Sequence, residues 1–421
     1  MVSVQNLLVN QDVPEKYRNI FLHLFLDIAW FGILSGSAIN FLNVYVTRLG
    51  ATTLQIGLLS ATTAVINLLF AIPAAHWLET RSIGKAVFWT SVFYRVGFLL
   101  WVPLPWLFDA PTQTWAIITL TLFMGIPLTA LGVGFNVLFA TAVPTEYRAY
   151  VAGTRNVLLS VTFMLTSLGC GILLDRIPYP LNYQIVFFIG AIGGGMSSYH
   201  LYKVRTFSEE PNLEKTLPAP PKPDLQTKPP STSWFSSFRM DIWKTPFKIT
   251  LLLLLGFHLA QYLAVPLFPI YNVRYLKLTD QNIGTGTALF YLAVLICSTQ
   301  LNRMVRRLGH KNVTGWGVVG MSIYPIGLAL STLVWQYYLV SLIGGVVWAL
   351  VAGAQANYLL EKVPENDRPS HLAWYTVVLN LAILIGSLAG PLFSNSIGIV
   401  SALILAGVLR LISGMAIFKW G

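Results

Sequence analysis

The chain has 421 residues, of which 55% are hydrophobic and only 10% charged, against roughly 25% charged in an ordinary soluble domain. Such a chain cannot hide its apolar surface from water, so disordered, disulfide-rich and soluble-enzyme classes are excluded and a polytopic membrane protein facing lipid remains. The net charge of +11 is then first a question of which side of the membrane the basic residues occupy.

Residues 1–19 lack the apolar stretch and cleavage site of a secretory signal, so the first span is expected to act as its own insertion signal. A helix needs about 20 apolar residues to cross a hydrocarbon core of about 30 Å. Dividing the chain at charges and at Pro, Gly and Asn clusters yields twelve such pieces: 20–47, 52–76, 86–108, 115–142, 153–175, 182–203, 249–273, 281–302, 312–333, 335–360, 371–395 and 398–419. With the N-terminus inside, 21 of the 27 Lys and Arg residues fall on the cytoplasmic side, Arg155 being counted there as a loop residue. Arg48, Arg176, Arg274 and Lys277 fall outside, and Arg95 and Arg410 lie within spans. This bias places both termini in the cytoplasm of a cell (inner) membrane protein. It also removes the main support for a nucleic-acid partner, because no separate soluble domain carries the charge.

The one long polar stretch, 204–248, carries seven prolines between Pro211 and Pro230, a composition that favours extended chain. It reads as a cytoplasmic linker between an N-terminal half, 1–203, and a C-terminal half, 249–421. Towards its end Trp234, Phe235, Phe238 and Ile242 recur at helical spacing beside Arg239, Lys244 and Lys248. That segment either lies flat among lipid headgroups or is ordinary linker with anchoring aromatics. The expected fold is all-α: twelve transmembrane helices in two six-helix halves.

The halves repeat. Tyr45-Val-Thr-Arg48 recurs as Tyr271-Asn-Val-Arg274, Ile56-Gly57 as Ile283-Gly284, and Val143-Pro144-Thr-Glu-Tyr-Arg148 as Val363-Pro364-Glu-Asn-Asp-Arg368. Each pair occupies the same point of its half. After span two stands Glu79-Thr-Arg81-Ser-Ile-Gly84-Lys85, and after span eight Arg306-Arg307-Leu308-Gly309-His310-Lys311. Duplicated six-span units joined by a linker, with an acid, basic, Gly, basic signature between helices two and three and V-P-x-x-x-R turns after spans four and ten, resemble the major facilitator superfamily over essentially the whole chain. The departures are specific: Glu79 to Gly84 is two residues longer than the usual acid-to-Gly spacing, and the second copy has Arg306 in place of the acid. Leu168-Gly169-Cys170-Gly171 in span five lacks the Gly-Pro pair of drug-proton antiporters, although Gly390-Pro391 stands in span eleven.

By this resemblance Glu79, Arg81, Gly84 and Lys85, with Arg307, Gly309 and Lys311, form gating loops in which Gly supplies a tight turn. The resemblance also implies a substrate cavity lined by helices one, four, seven and ten. Carried onto this chain, Trp30, Asn40 and Asn43, Asn136, His258 and Gln261, and Trp348 and Gln355 become cavity candidates, each of them equally suited to hydrogen bonding between helices. Ionisable groups inside spans are costly and need a partner or a cavity. Asp27 is the only acid well inside a span, and His23 lies four residues before it on the same helical face. Asp27 is either a structural acid, hydrogen-bonded or ion-paired, with Arg95 as a candidate partner, or a protonatable or substrate-contacting group. Arg95 is read as a structural partner more than a substrate contact, and Arg410 as snorkelling or structurally paired.

No phosphate-binding loop, H-E-x-x-H or G-x-S-x-G stands in the sequence, so neither an enzyme nor a cofactor is expected. Cys170 and Cys297, the only cysteines, suggest no metal or disulfide framework. The leading expectation is a monomeric secondary transporter of a small organic solute, working by alternating access and drawing on a gradient such as that of protons. The rival is a non-transporting assembly or pigment-complex factor of the same fold.

Overall fold

A computed structural model describes residue 9, residues 13–208 and residues 239–421 of the chain. The Pro-rich core of the linker, with Trp234, Phe235 and Phe238, lies outside the described residues. The N-terminal half consists of α1 (Glu15–Arg48), α2 (Thr53–Glu79), α3 (Ile83–Trp101), α4 (Ala110–Ala142), α5 (Arg148–Arg176) and α6 (Leu181–Ser208). The C-terminal half begins with α7 (Phe247–Tyr275) and ends with α10 (Val334–Glu361), α11 (Arg368–Ile397) and α12 (Ile399–Trp420). Between α7 and α10 lies one apolar stretch, Asp280–Leu330. It is broken at Gly309, whose φ of 78° and ψ of 159° are non-helical, into α8 (280–308) and α9 (310–330). Along α10 the first runs parallel and the second antiparallel: Gly286 early in α8 and Gly327 late in α9 approach Tyr337 and Val340 near its start, while Leu301 late in α8 and Gly317 early in α9 approach Gly353 and Val351 near its end. Among the described residues the spans are then twelve, in two sets of six.

The outer surface explains the composition. Leu69, Phe93, Phe123, Leu165, Ile296 and Leu392 are all exposed on helix faces, and apolar side chains on every side are what a lipid solvent rewards, provided backbone polar groups are satisfied within helices. Inside each half the helices pack closely, α1 on α5 and α6, α3 on α4 and α6, α7 on α11 and α12, and α8 on α10. Between the halves, α5 packs on α8 and α2 on α11.

Two turn expectations are resolved differently. Gly309 has open space around it and a positive φ, the backbone region reserved for glycine. Gly84, by contrast, lies in the first turn of α3 with no positive φ, and the chain turns at Thr80–Ser82 instead. Its expected role as a turn glycine is therefore corrected: α3 begins two to three residues before the apolar run does. The end of the linker, from Arg239 on, is packed against the C-terminal half. Ile242 is buried against Phe247, Leu251 and Tyr358, and Trp243 meets Trp374 edge-on at 5.5 Å. Arg239 bonds Asp241 and Asp367 at 2.9 Å each. The hydrogen bond from Arg239 holds the Asp241 carboxyl below its ordinary range. That contact is complete above the usual carboxylate pKa of about 4 and fades as pH falls.

Replacing Gly309 with Ala is expected to destabilise the protein by about 1–3 kcal/mol, the cost of strained backbone. Gly153→Ala, in an exposed helical site where a methyl meets nothing, should instead stabilise by about 0.5–1 kcal/mol. Unfolding in mixed detergent micelles measures both, and equal effects would contradict the break assigned to Gly309.

Candidate functional site: the buried charges and the junction between the halves

Asp27 stands one-third of the way along α1, 3% exposed. Its Oδ2 accepts from Arg155 Nη1 at 3.1 Å, Arg95 Nη2 lies 3.8 Å from Oδ1, and the Ser197 hydroxyl of α6 donates to Oδ1. Arg155 also donates to the Leu24 carbonyl, and Arg95 donates to Ser198 Oγ at 2.9 Å. One carboxylate thus ties α1 to α3, α5 and α6. This corrects the placement of Arg155 in a cytoplasmic loop. Because α5 starts at Arg148, directly after the V-P-T-E-Y turn, Arg155 lies two turns inside and is 8% exposed. Counting helical turns from Arg148 rather than waiting for the first unbroken apolar run would have found it. His23 does not contact Asp27: its Nδ1 lies 2.8 Å from Nδ1 of His200 on α6.

The other polar candidates divide among four places. Asn40 donates to Ser167 Oγ of α5 at 2.9 Å. Asn43 lines a cavity of about 220 Å³ inside the N-terminal half, with its Oδ1 unpartnered. In the C-terminal half, His258, Gln355 and Tyr375 form a cluster linking α7, α10 and α11, with polar atoms 3.0–3.2 Å apart. Gln261 and Trp348 line a separate cavity that includes Arg410. Arg410 does not snorkel: it donates to the Met321 and Gln261 carbonyls at 3.0 Å. Trp30 is half-buried and Asn136 is exposed. Glu79, Arg81, Lys85, Arg307 and Gly309 are exposed, Arg81 stacks over Trp77 at 5.1 Å, and Lys311 is half-buried.

The junction between the halves is polar at the end away from the linker. Arg48, ending α1, reaches Asp280 Oδ1 at 2.8 Å and the Leu278 carbonyl at 2.9 Å. In return Arg274, ending α7, donates to the Ala51 and Thr47 carbonyls. Asp175, ending α5, accepts from the Asp280 and Gln281 amides at 2.9 and 3.2 Å, which satisfies orphan N–H groups at the start of α8. Below this, glycines let backbones touch. A Cβ on Gly284 would stand 2.5 Å from the Ser167 carbonyl, and one on Gly57 would collide with the Ser387 carbonyl of α11. Farther in, Asn67 donates to Asn380 at 3.1 Å, and Phe163 stacks on Tyr291 at 4.2 Å. Among the described residues no hydrogen bond, ion pair or ring contact joins the halves nearer the linker than these.

This geometry defines a class: a membrane protein of two six-helix halves, joined among the described residues by hydrogen bonds and a ring contact from mid-helix to one end. The sequence gives it a family. The family model described as Major Facilitator Superfamily matches residues 25–279 and 250–420, and the chain belongs to that superfamily of membrane transporters. The tetracycline resistance protein, class B, of Escherichia coli is 25% identical over 42% of this chain and 43% of its own length. Multidrug resistance protein 2 of Bacillus subtilis (strain 168) is 26% identical over 36% of this chain and 38% of its own. The chain thus matches about two-fifths of the length of these curated relatives. A solved structure of a bacterial homologue of the iron transporter ferroportin in an inward-facing state superposes with a TM-score of 0.71 at 15% identity, covering 95% of this chain and 98% of that one. At that identity the likeness is one of fold.

Asp27→Asn should cost about 3–5 kcal/mol, because it leaves two buried guanidiniums without a counter-charge. Arg155→Gln should cost distinctly less, since Arg95 still balances the acid. Unfolding titrations of the two purified variants compare them directly, and equal losses would contradict the shared ion pair.

Proposed function

We propose that the protein is a secondary transporter that moves a small organic solute by exposing a cavity between its halves alternately to the two sides of a cell membrane. The observation that carries this reading is the one-sided junction. Among the described residues, hydrogen bonds and ring contacts between the halves run from mid-helix to the far end, and none joins the helix ends on the linker side. A rocking motion would break the far-end contacts and form new ones near the linker. The names of the two curated relatives, one for tetracycline and one for multidrug resistance, support an organic solute.

In this reading the linker and both termini are cytoplasmic, as the distribution of Lys and Arg supports, even with Arg155 removed from the inner count. Reporter fusions at Asp224 and Asp109 should report opposite sides of the membrane; the same signal from both would overturn that orientation. Coupling to protons belongs to the reading, with Asp27 as the acid to test. Two guanidiniums within 4 Å of it favour a fixed structural charge instead. An Asp27→Asn protein that folds, exchanges solute and no longer accumulates it down a pH gradient would restore the coupling role.

The motion itself has a direct test. Thr53 Oγ1 and Asn395 Oδ1 lie 2.9 Å apart at the far end, on opposite halves. With Cys170 and Cys297 replaced by Ser, a Thr53→Cys/Asn395→Cys pair should cross-link on oxidation and lock that end. Counterflow in liposomes, screened first with tetracycline, uridine and xylose, should stop in the oxidised protein and resume on reduction. Undiminished counterflow through the locked protein would refute the rocking mechanism. No saturable movement of any solute, with stable co-purification of a larger complex, would favour the non-transporting reading.

A further inference from the structure

Among the described residues Arg410 is the most deeply buried cation, 2% exposed at the middle of α12. Two of its N–H groups are used on the Met321 and Gln261 carbonyls, which fixes α12 against α9 and α7. Its Nε–H has no partner, and no carboxylate among the described residues pairs with it. A guanidinium remains charged in a protein, so the C-terminal half holds a full positive charge in the apolar layer without a counter-ion. That is costly unless something answers it. The N-terminal half shows the balanced alternative: there Asp27 stands between two arginines.

Arg410 borders a cavity of about 320 Å³, within the size range of small-ligand sites. Its walls include the rings of Phe268, Tyr291, Tyr324 and Trp348, with Gln261 as a polar side chain. Tyr291 also stacks on Phe163 of the other half, so the cavity adjoins the junction that a rocking motion would open. The lining selects among ligand classes. A cation would be repelled by Arg410. A sugar would bring more hydroxyl groups than Gln261 and Tyr324 can satisfy, and each unpaired one is penalised in a dry site. A polyanion would need more than one guanidinium. A single carboxylate on a flat apolar body would meet both the charge and the rings.

We propose that this cavity binds an organic monoanion, a carboxylate carried on an aromatic or cyclic body, with Arg410 as its anion partner and Trp348 against its ring. The proposal deepens the transport reading by naming a substrate class and rests on that reading only for movement across the membrane; binding is measured separately.

The test uses the full-length protein in lipid nanodiscs with 4-nitrobenzoate, a quencher of tryptophan fluorescence, and its neutral analogue 4-nitrobenzamide, which controls for absorption and for general apolar binding. The acid should quench saturably and raise the unfolding temperature, with an apparent affinity about tenfold or more above that of the amide, the ratio equivalent to a single charged contact of about 1.4 kcal/mol. Arg410→Gln should abolish this preference and Arg410→Lys should weaken it, because a point charge replaces a planar fork. Trp348→Phe should remove most of the saturable quenching. If Arg410→Gln does not fold, the acid–amide pair on the native protein and the Trp348→Phe variant still decide. Equal binding of acid and amide, binding of neither, or quenching unchanged in Trp348→Phe would each overturn the proposal. A protein that moves another solute by counterflow while failing the acid–amide comparison would retain the transport reading and lose this one.

Discussion

The two halves are held together at one end by an exchange of arginines, and the rest of the architecture depends on that clasp. Arg48 crosses to the start of α8 and Arg274 crosses back to the turn after α1. Besides the Asp280 carboxylate, they bond backbone carbonyls at and beside the turns that lead into α2 and α8. Asp175 does the same in the opposite sense, taking two amides at the start of α8. Hydrogen bonds to charged groups contribute about 1.5–3 kcal/mol net each. Together they fix the register of the junction.

Beneath the clasp the junction depends on contact distance instead of charge. Gly57 and Gly284 bring α2 onto α11 and α8 onto α5 at distances where no side chain fits. In lipid there is little hydrophobic drive for helices to associate, so close backbone packing carries more of the attraction. The repeated Y-x-x-R and Ile-Gly pairs are therefore the two components of the junction, one polar and one steric, each made once from either half.

Away from the junction the halves have diverged in how they treat buried charge. The N-terminal half encloses one acid between two arginines and uses the group as an internal tie across four helices. The C-terminal half keeps one arginine, answers it with two carbonyls and leaves it beside a ring-lined cavity. The same cost of burying a guanidinium gives a rigid tie in one half and a place for an anion in the other.

The span pattern, the duplication and the superfamily could be read from the residues alone, because hydropathy and turn chemistry are local: a run of apolar side chains is a span wherever its neighbours sit. The break at Gly309 was legible for the same reason. Which helix faces meet depends instead on how each helix is rotated about its axis, and that is decided by packing among twelve of them. Hence His23, on the right face for Asp27, pairs with His200; Arg155, adjacent to a loop by composition, lies two turns inside α5; and Gln261 and Gln355, on helices assigned to one cavity, belong to different clusters. The repeated arginines were visible as a pattern in the sequence, but their partners lie more than 200 positions away. Only the closed tertiary structure brings those carbonyls and that carboxylate within reach.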